Sequence, residues 1–230
     1  MTLPLHELLQ IKKGVTAVIG SGGKTTLLSE LAKTLPGKVI LCTTSFFYPF
    51  RNTAFLSLSD ITPEKEEEML RKLLSENRVV CDGEMAGNGK LGRPLLPFEQ
   101  LARMADYVLV ESDISRGYPL KAHADREPDM PENPDDIICV FGASGFMEPV
   151  SRAVHHPEVF RLLTGCAEDA LARPELVVKA FVNERLTKKA FINQVDSREA
   201  LALAERFVNA TDLPGIVVGS LKHNAYKRYA

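Results

Sequence analysis

The sequence predicts an α/β fold, doubly wound around a mainly parallel sheet with helices on both faces, in three layers. Three observations predict it. Short apolar runs alternate with helical patterns along the chain. One run, Val15 to Ile19, passes directly into Gly20-Ser21-Gly22-Gly23-Lys24-Thr25-Thr26 and then into a helical pattern at Leu28, Leu31, Ala32 and Leu35. A later run, Ala105 to Val110, delivers two carboxylates, Glu111 and Asp113, at its C-terminal end. With 230 residues, the chain is read as a single domain over residues 1–230.

Taken in order, Leu5 to Ile11 reads as a short helix and Val15 to Ile19 as the first strand. Pro36-Gly37 breaks the helix that follows, and Lys38 to Thr43 is a second strand ending in Thr43-Thr44-Ser45. The aromatics Phe46, Phe47, Tyr48 and Phe50 are read as a packing plug in preference to a base-stacking surface. Thr62-Pro63 opens a helix whose buried face is Met69, Leu70, Leu73 and Leu74. Arg78 to Asp82 is a short strand, Gly83 to Gly92 a glycine-rich turn or hairpin, and Pro97 to Met104 a helix. Pro128 to Asp136 is a surface loop, Ile137 to Phe141 a core strand, and His155 to Phe181 helical in pattern. Ala190 to Asp196 is a strand, and Ser197 caps a helix with Leu201, Ala204, Phe207 and Val208 on one face. Ile216 to Gly219 closes the sheet, leaving Lys222 to Arg228 as an exposed basic tail.

Strand, glycine turn and helix in that order suit a phosphate clamp. Glycines bring backbone N–H groups close to an anion, and a helix N-terminus adds partial positive charge. Gly20, Ser21, Gly22, Gly23, Lys24, Thr25 and Thr26 are therefore the candidate nucleotide-binding residues, with Lys24 against the outer phosphates and the Thr25 hydroxyl on Mg²⁺. The turn is one residue shorter than the usual P-loop, whose first glycine would fall at Val18. A turn serving chain reversal alone would accept Asp or Asn where Lys-Thr-Thr stands. Strand alternation puts Glu111 and Asp113 on one side, at the sheet end where ligands of open parallel sheets bind, so both join Thr25 as candidate metal ligands. Asp113 is also a candidate to orient an attacking water or hydroxyl, and Arg116 and Lys121 to neutralise a transferring phosphate.

Asn193-Gln194-Val195-Asp196 resembles the Asn-Lys-x-Asp element with which GTPases read guanine, which makes Asn193 and Asp196 candidate base contacts. Gln194 replaces the stacking lysine, and a strand followed by an Asp-Ser cap explains the same residues. The nucleotide is thus read as ATP or GTP. His155-His156 is not read as a metal site, because adjacent side chains in a strand or helix point apart.

Composition narrows the class. With 45% hydrophobic and 25% charged residues the chain is an ordinary globular sequence. A net charge of −2 gives no electrostatic case for nucleic acid. Cys42, Cys81, Cys139 and Cys166 form no C-x-x-C pair and read as small buried hydrophobes in a reducing compartment. No apolar run approaches the length of a membrane span and the first residues lack an export signal, so the expectation is a cytoplasmic protein without a membrane partner.

The motifs together are familiar. Gly20 to Thr26, Thr43-Thr44-Ser45 and above all Glu111-Ser112-Asp113-Ile114-Ser115-Arg116 with Pro119-Leu120-Lys121-Ala122 and Glu127-Pro128 resemble the YqeC-type family. Gly89-Lys90-Leu91, His156-Pro157-Glu158, Leu163-Thr164-Gly165 and Ala190 to Asp196 extend the likeness over nearly the whole chain. The chain departs from the family pattern at Ile114, where glycine is usual, at His123, where proline follows Lys-Ala, and at Arg126, where His precedes Glu-Pro. The resemblance implies a P-loop NTPase-like fold and an accessory role in maturing selenium-dependent molybdenum hydroxylases, with the hydroxylase or its pterin cofactor as partner. Two rivals stand beside an NTP hydrolase or phosphoryl/nucleotidyl transfer factor. The short Gly-x-x-Gly-Lys-Thr-Thr turn also matches Mur-type ligases, which form an amide through an acyl phosphate, and a non-catalytic carrier would use nucleotide or pterin only as a signal.

Overall fold

In the computed structural model, which describes residues 3–50, 53–58 and 61–229, twelve strands and eight α-helices follow one another. They are α1 (Leu5–Leu8), β1 (Gly14–Gly20), α2 (Lys24–Thr34), β2 (Val39–Thr43), β3 (Ala54–Leu58), α3 (Pro63–Glu76), β4 (Val79–Ala86), β5 (Lys90–Leu91), α4 (Phe98–Ala102), β6 (Tyr107–Glu111), β7 (Leu120–Lys121), β8 (Asp136–Gly142), α5 (Val150–Ala153), β9 (Val154–His155), α6 (Pro157–Thr164), α7 (Pro174–Glu184), β10 (Lys189–Asn193), α8 (Arg198–Asn209), β11 (Ile216–Ser220) and β12 (Ala225–Tyr229). The main sheet runs β12-β11-β10-β8-β1-β6-β2-β4-β3, with β5 paired to β4. β12 is antiparallel to β11 and β5 to β4, and the other pairs are parallel.

Alternation along the strands sorts their side chains into three cores. Val39, Leu41, Leu109, Ile138, Val140 and Phe191 face α1 and α2. Ile40, Cys42, Val80, Val108 and Val110 face the opposite side and pack on α3 and α4. On that second side Ile19, Cys139, Phe141, Ala190, Ile192, Ile216 and Val218 pack on α5 to α8. The result is the α/β doubly wound arrangement the periodicity predicts, helices over both faces of a mainly parallel sheet. Each fully buried Leu, Ile or Phe contributes about 1.5–3 kcal/mol by leaving water.

Local signals set the boundaries. Pro63 opens α3 behind a Thr62 cap that accepts from the Lys65 amide, and Ser197 accepts from the Ala200 amide at 3.1 Å to start α8. The glycine-rich 83–92 segment folds as the β4–β5 hairpin, with Met85 opposite Leu91. Phe47 is buried against Phe50, whereas Phe46 and Tyr48 are exposed. Cys42, Cys81 and Cys139 are buried and all four cysteines are free thiols. Burial pushes the Cys81 thiol up to about 11 and holds Cys42 and Cys139 well above the usual range.

Three expectations need correction. The basic tail is β12, antiparallel to β11 and pinned by Arg228, which donates to the Leu8 carbonyl at 2.8 Å, and by Tyr229, which donates to Glu205 at 3.0 Å. β11 therefore does not close the sheet. The 155–181 stretch is a strand and two helices, broken where α6 ends at Gly165 in the left-handed region (φ 71°). β3, a short edge strand beside β4, has no counterpart in the sequence reading.

Candidate phosphate-binding site

The site lies at the carboxyl edge of the sheet, where β1 sits between β6 and β8. The register pairs Val18 with Glu111 and Gly20 with Val140, and on the far side of β6 Thr43 pairs with Glu111. The chain leaves β1 for α2 toward one side, and β6 and β8 flank it from both, so the crevice opens above Gly20.

Two glycines of the loop answer to the protein floor beneath it. Gly22 (φ 87°) and Gly23 (φ 127°) hold left-handed backbone, and a Cβ would fall 2.2 Å from the Gly142 nitrogen at the first and 2.4 Å from Asn193 Nδ2 at the second. The sequence argument expected glycine so that an anion could approach, but these two admit the ends of β8 and β10. Above them the loop presents its amides. Among the described residues, the N–H groups of Gly22, Gly23, Lys24, Thr25 and Thr26 donate to no protein acceptor, and the first of them to close a helical bond is Leu27, to Gly23.

Lys24 is 3% exposed, and its Nζ donates to the Gly20 carbonyl at 2.8 Å. Burial lowers its pKa, partly offset by Asp113 and Glu111. The ammonium has three protons and, among the described residues, one acceptor. Thr25 Oγ1 donates to Glu111 Oε2 at 2.9 Å. Burial raises the Glu111 pKa against the opposing pull of Lys24 and the Thr25 hydroxyl. Thr43 Oγ1 and the Thr44 amide hold the Glu111 carbonyl at 2.7 and 3.1 Å. Ser21 Oγ donates to the Tyr118 carbonyl, which seats the 115–118 turn against the loop.

Asp113 is already engaged by the protein. Its Oδ2 accepts from the Gly20 amide at 3.0 Å and from His123 Nε2 at 2.8 Å, and its Oδ1 accepts from Lys121. Burial works against its charge, but the His123 hydrogen bond and the cations around it keep its pKa below the usual value. Lys121 is fully enclosed, pairs with Glu127 at 3.0 Å and donates to the Ile114 carbonyl at 2.9 Å, so three acceptors surround its ammonium. The structure therefore brings Thr25 and Glu111 together and draws Asp113 and Lys121 into a separate buried network. Arg116 is exposed in the left-handed region (φ 50°) and makes no ion pair among the described residues.

Asn193 and Asp196 both have protein partners. Asn193 Nδ2 donates to the Gly22 carbonyl at 2.8 Å and Oδ1 accepts from the Leu221 amide at 3.1 Å, so both ends of its amide brace the loop. Asp196 Oδ1 accepts from Ser220 Oγ at 2.5 Å, and Gln194 accepts from Ser144 at 2.6 Å.

His123 and Glu184 were not legible as site residues. Glu184 ends α7, 61 residues beyond His123, and accepts from the His123 amide at 2.7 Å, with its other oxygen 3.0 Å from His123 Nδ1. No local spacing signals such a pairing. His155 and His156 correct a further expectation: their rings are 4.0 Å apart, because His156 is left-handed (φ 64°) and belongs to neither strand nor helix. Tyr118 stacks on His155 at 5.6 Å. Among the described residues, no group of three or more His, Cys, Asp or Glu is placed to hold a metal ion.

Comparison with known proteins adds the family. The profile of the YqeC protein matches residues 16–158, from β1 to the first turn of α6, and so takes in the glycine loop, Glu111, Asp113, Lys121, His123 and Glu127 but not Glu184 or Asn193. The chain is 30% identical over 174 residues to the uncharacterized protein YqeC of Escherichia coli (strain K12), covering 70% of this chain and 64% of that protein. It thus spans less than two thirds of that relative's length. The chain with this loop and these carboxylates belongs to the YqeC family.

Proposed function

We propose that this chain binds a nucleoside triphosphate, ATP or GTP, with Mg²⁺ at residues 20–26. It acts in turn as an NTP hydrolase or a phosphoryl/nucleotidyl transfer factor. The observation that carries the reading is the buried Lys24 ammonium, which has one acceptor among the described residues, in a loop whose amides from Gly22 to Thr26 have none there. A buried ammonium short of acceptors is costly, and an oxyanion on the loop would satisfy it and the loop amides at once. Lys24 would hold β- and γ-oxygens. Thr25 and Glu111 would hold Mg²⁺, which needs few protein ligands when phosphates and waters supply the rest and which supplies charge neutralisation between phosphate oxygens.

The roles of the other candidates follow from their surroundings. Lys121, with three acceptors around its ammonium, serves to place Asp113, and Asp113 to shape the loop. Exposed Arg116 on the rim is the cation left for charge developing on a transferred group. The family resemblance supports a place in molybdenum hydroxylase maturation, with a hydroxylase or its pterin cofactor as partner.

A thermal-shift screen with ATP, GTP and CTP, with and without Mg²⁺, tests the reading, since a ligand that binds the native state raises its melting point. The expected result is a magnesium-dependent rise for ATP or GTP that Lys24→Ala abolishes. An equal rise in that variant would refute the site. Steady-state turnover of the bound nucleotide then separates a catalyst from a nucleotide-switched carrier, which binds but hardly hydrolyses without its partner.

A further inference from the structure

Both groups of the Gly20 peptide are engaged before any ligand arrives. Its carbonyl accepts from Lys24 and its N–H donates to Asp113 Oδ2 at 3.0 Å. The carboxylate that takes this N–H is held by His123 Nε2 on the same oxygen, 2.8 Å away. His123 is in turn gripped by Glu184, which takes its backbone amide with one oxygen and faces Nδ1 with the other. Each ring nitrogen thus faces a carboxylate, so both act as donors. The three side chains are closed off from water, with exposures of 2% for His123 and Asp113 and 8% for Glu184. A continuous buried chain therefore runs from the last residue of α7 to the first peptide of the loop.

We infer that His123 is a positioning residue of the phosphate loop, acting through Asp113 to keep that carboxylate on the Gly20 amide and off the Lys24 ammonium. The alternative resting place for Asp113 is close: the Lys24 ammonium sits on the carbonyl of the same residue, Gly20, whose amide Asp113 holds. A carboxylate released from His123 turns toward that ammonium and competes with the oxyanion for the same protons. Lys121 alone does not prevent this, because it holds the other oxygen, Oδ1, and leaves Oδ2 without its second donor.

The inference rests on the reading that the loop binds triphosphate, and its test separates the two. Calorimetric titration of the full chain with Mg·ATP and with inorganic tripolyphosphate compares wild type, His123→Gln, Asp113→Asn and the double variant. Loss of a charge-assisted hydrogen bond in a buried site predicts affinity about tenfold weaker for His123→Gln. Because His123 acts through Asp113, the double variant is expected within about twofold of Asp113→Asn alone. An unchanged affinity in His123→Gln, or penalties that add in the double variant, overturns the inference. A second readout needs no ligand: hydrogen exchange of the Gly20 amide in ¹H–¹⁵N spectra quickens in His123→Gln while that of Val18, deep in β1, does not. If wild type fails to bind either probe, the binding reading falls and the Gly20 amide alone decides the positioning role, an unchanged rate refuting it. Should His123→Gln not fold, Glu184→Gln takes its place, leaving the imidazole and removing its far anchor. It is then expected to shift affinity and exchange in the same direction, and no shift in either refutes the role.

Discussion

At the scale of single residues, two buried carboxyls set the chain's response to pH. Asp82 on β4 has no exposure, and among the described residues neither of its oxygens has a hydrogen-bond partner, while neighbouring Glu66 on α3 accepts from the amides of Leu95 and Leu96 at 3.2 and 2.8 Å. A proton on Asp82 resolves the conflict by giving it a hydrogen bond to donate to Glu66. Burial first, and then the charge of Glu66, push the Asp82 carboxyl up to about 8. A carboxyl whose folded pKa is raised stabilises the fold fully below its unfolded value, and this is lost as pH rises through the folded one. Thermal stability should therefore fall progressively between about pH 4 and about pH 8 and level off above that, by an amount on the order of a few kcal/mol. Asp82→Asn, which donates without titrating, should flatten most of that fall, and melting curves with an unaltered slope would contradict the shared proton. His123 adds a loss of the same sign. Burial disfavours its charge, but Asp113 and Glu184 outweigh this and raise it to about 9, so its contribution is present at neutral pH and disappears above that value. His123→Gln should remove the part of the alkaline decline that survives Asp82→Asn.

At the scale of elements, the loop and α2 behave as one unit braced from below. Gly22→Ala places a methyl 2.2 Å from the Gly142 nitrogen in a left-handed backbone, a strain of order 1–3 kcal/mol before any displacement of β8. The variant should melt lower than wild type and bind triphosphate more weakly, whereas retention of both would show that the loop has room to relax. The same comparison explains what was legible. β1, β2, β6, β8, β10 and β11 were readable because they are buried on both faces, which leaves short, mostly apolar runs. β12 was not, because an edge strand carries Lys227 and Arg228 against aggregation and looks like a tail. The half of the site built from contiguous motifs, residues 20–26 with Glu111 and Asp113, could be listed in advance. Its other half could not: His123 and Glu184 meet the loop only through long-range packing. Asn193 could be listed from its motif, but the bond of its side chain to the Gly22 carbonyl could not.

At the scale of the whole molecule, the topology gathers this chemistry at one edge. Strands β2, β6, β1, β8 and β10 are parallel, so their carboxyl ends bring Thr43, Glu111, the glycine loop, Gly142 and Asn193 to the same side of the sheet. Among the described residues no helix is long and apolar enough to cross a membrane. The family match covers the strands that build the loop and its acidic neighbours, and leaves to the last third of the chain the residues that brace them from α7 and β10. The central claim is that the loop around Lys24 is shaped for the phosphates of a nucleotide. Isothermal titration of Mg·ATP and Mg·GTP into wild type and Lys24→Ala tests it most directly. The account predicts saturable heat with about one site per chain in wild type and none in the variant. Identical isotherms for the two proteins, or no heat from wild type with either nucleotide, would contradict it.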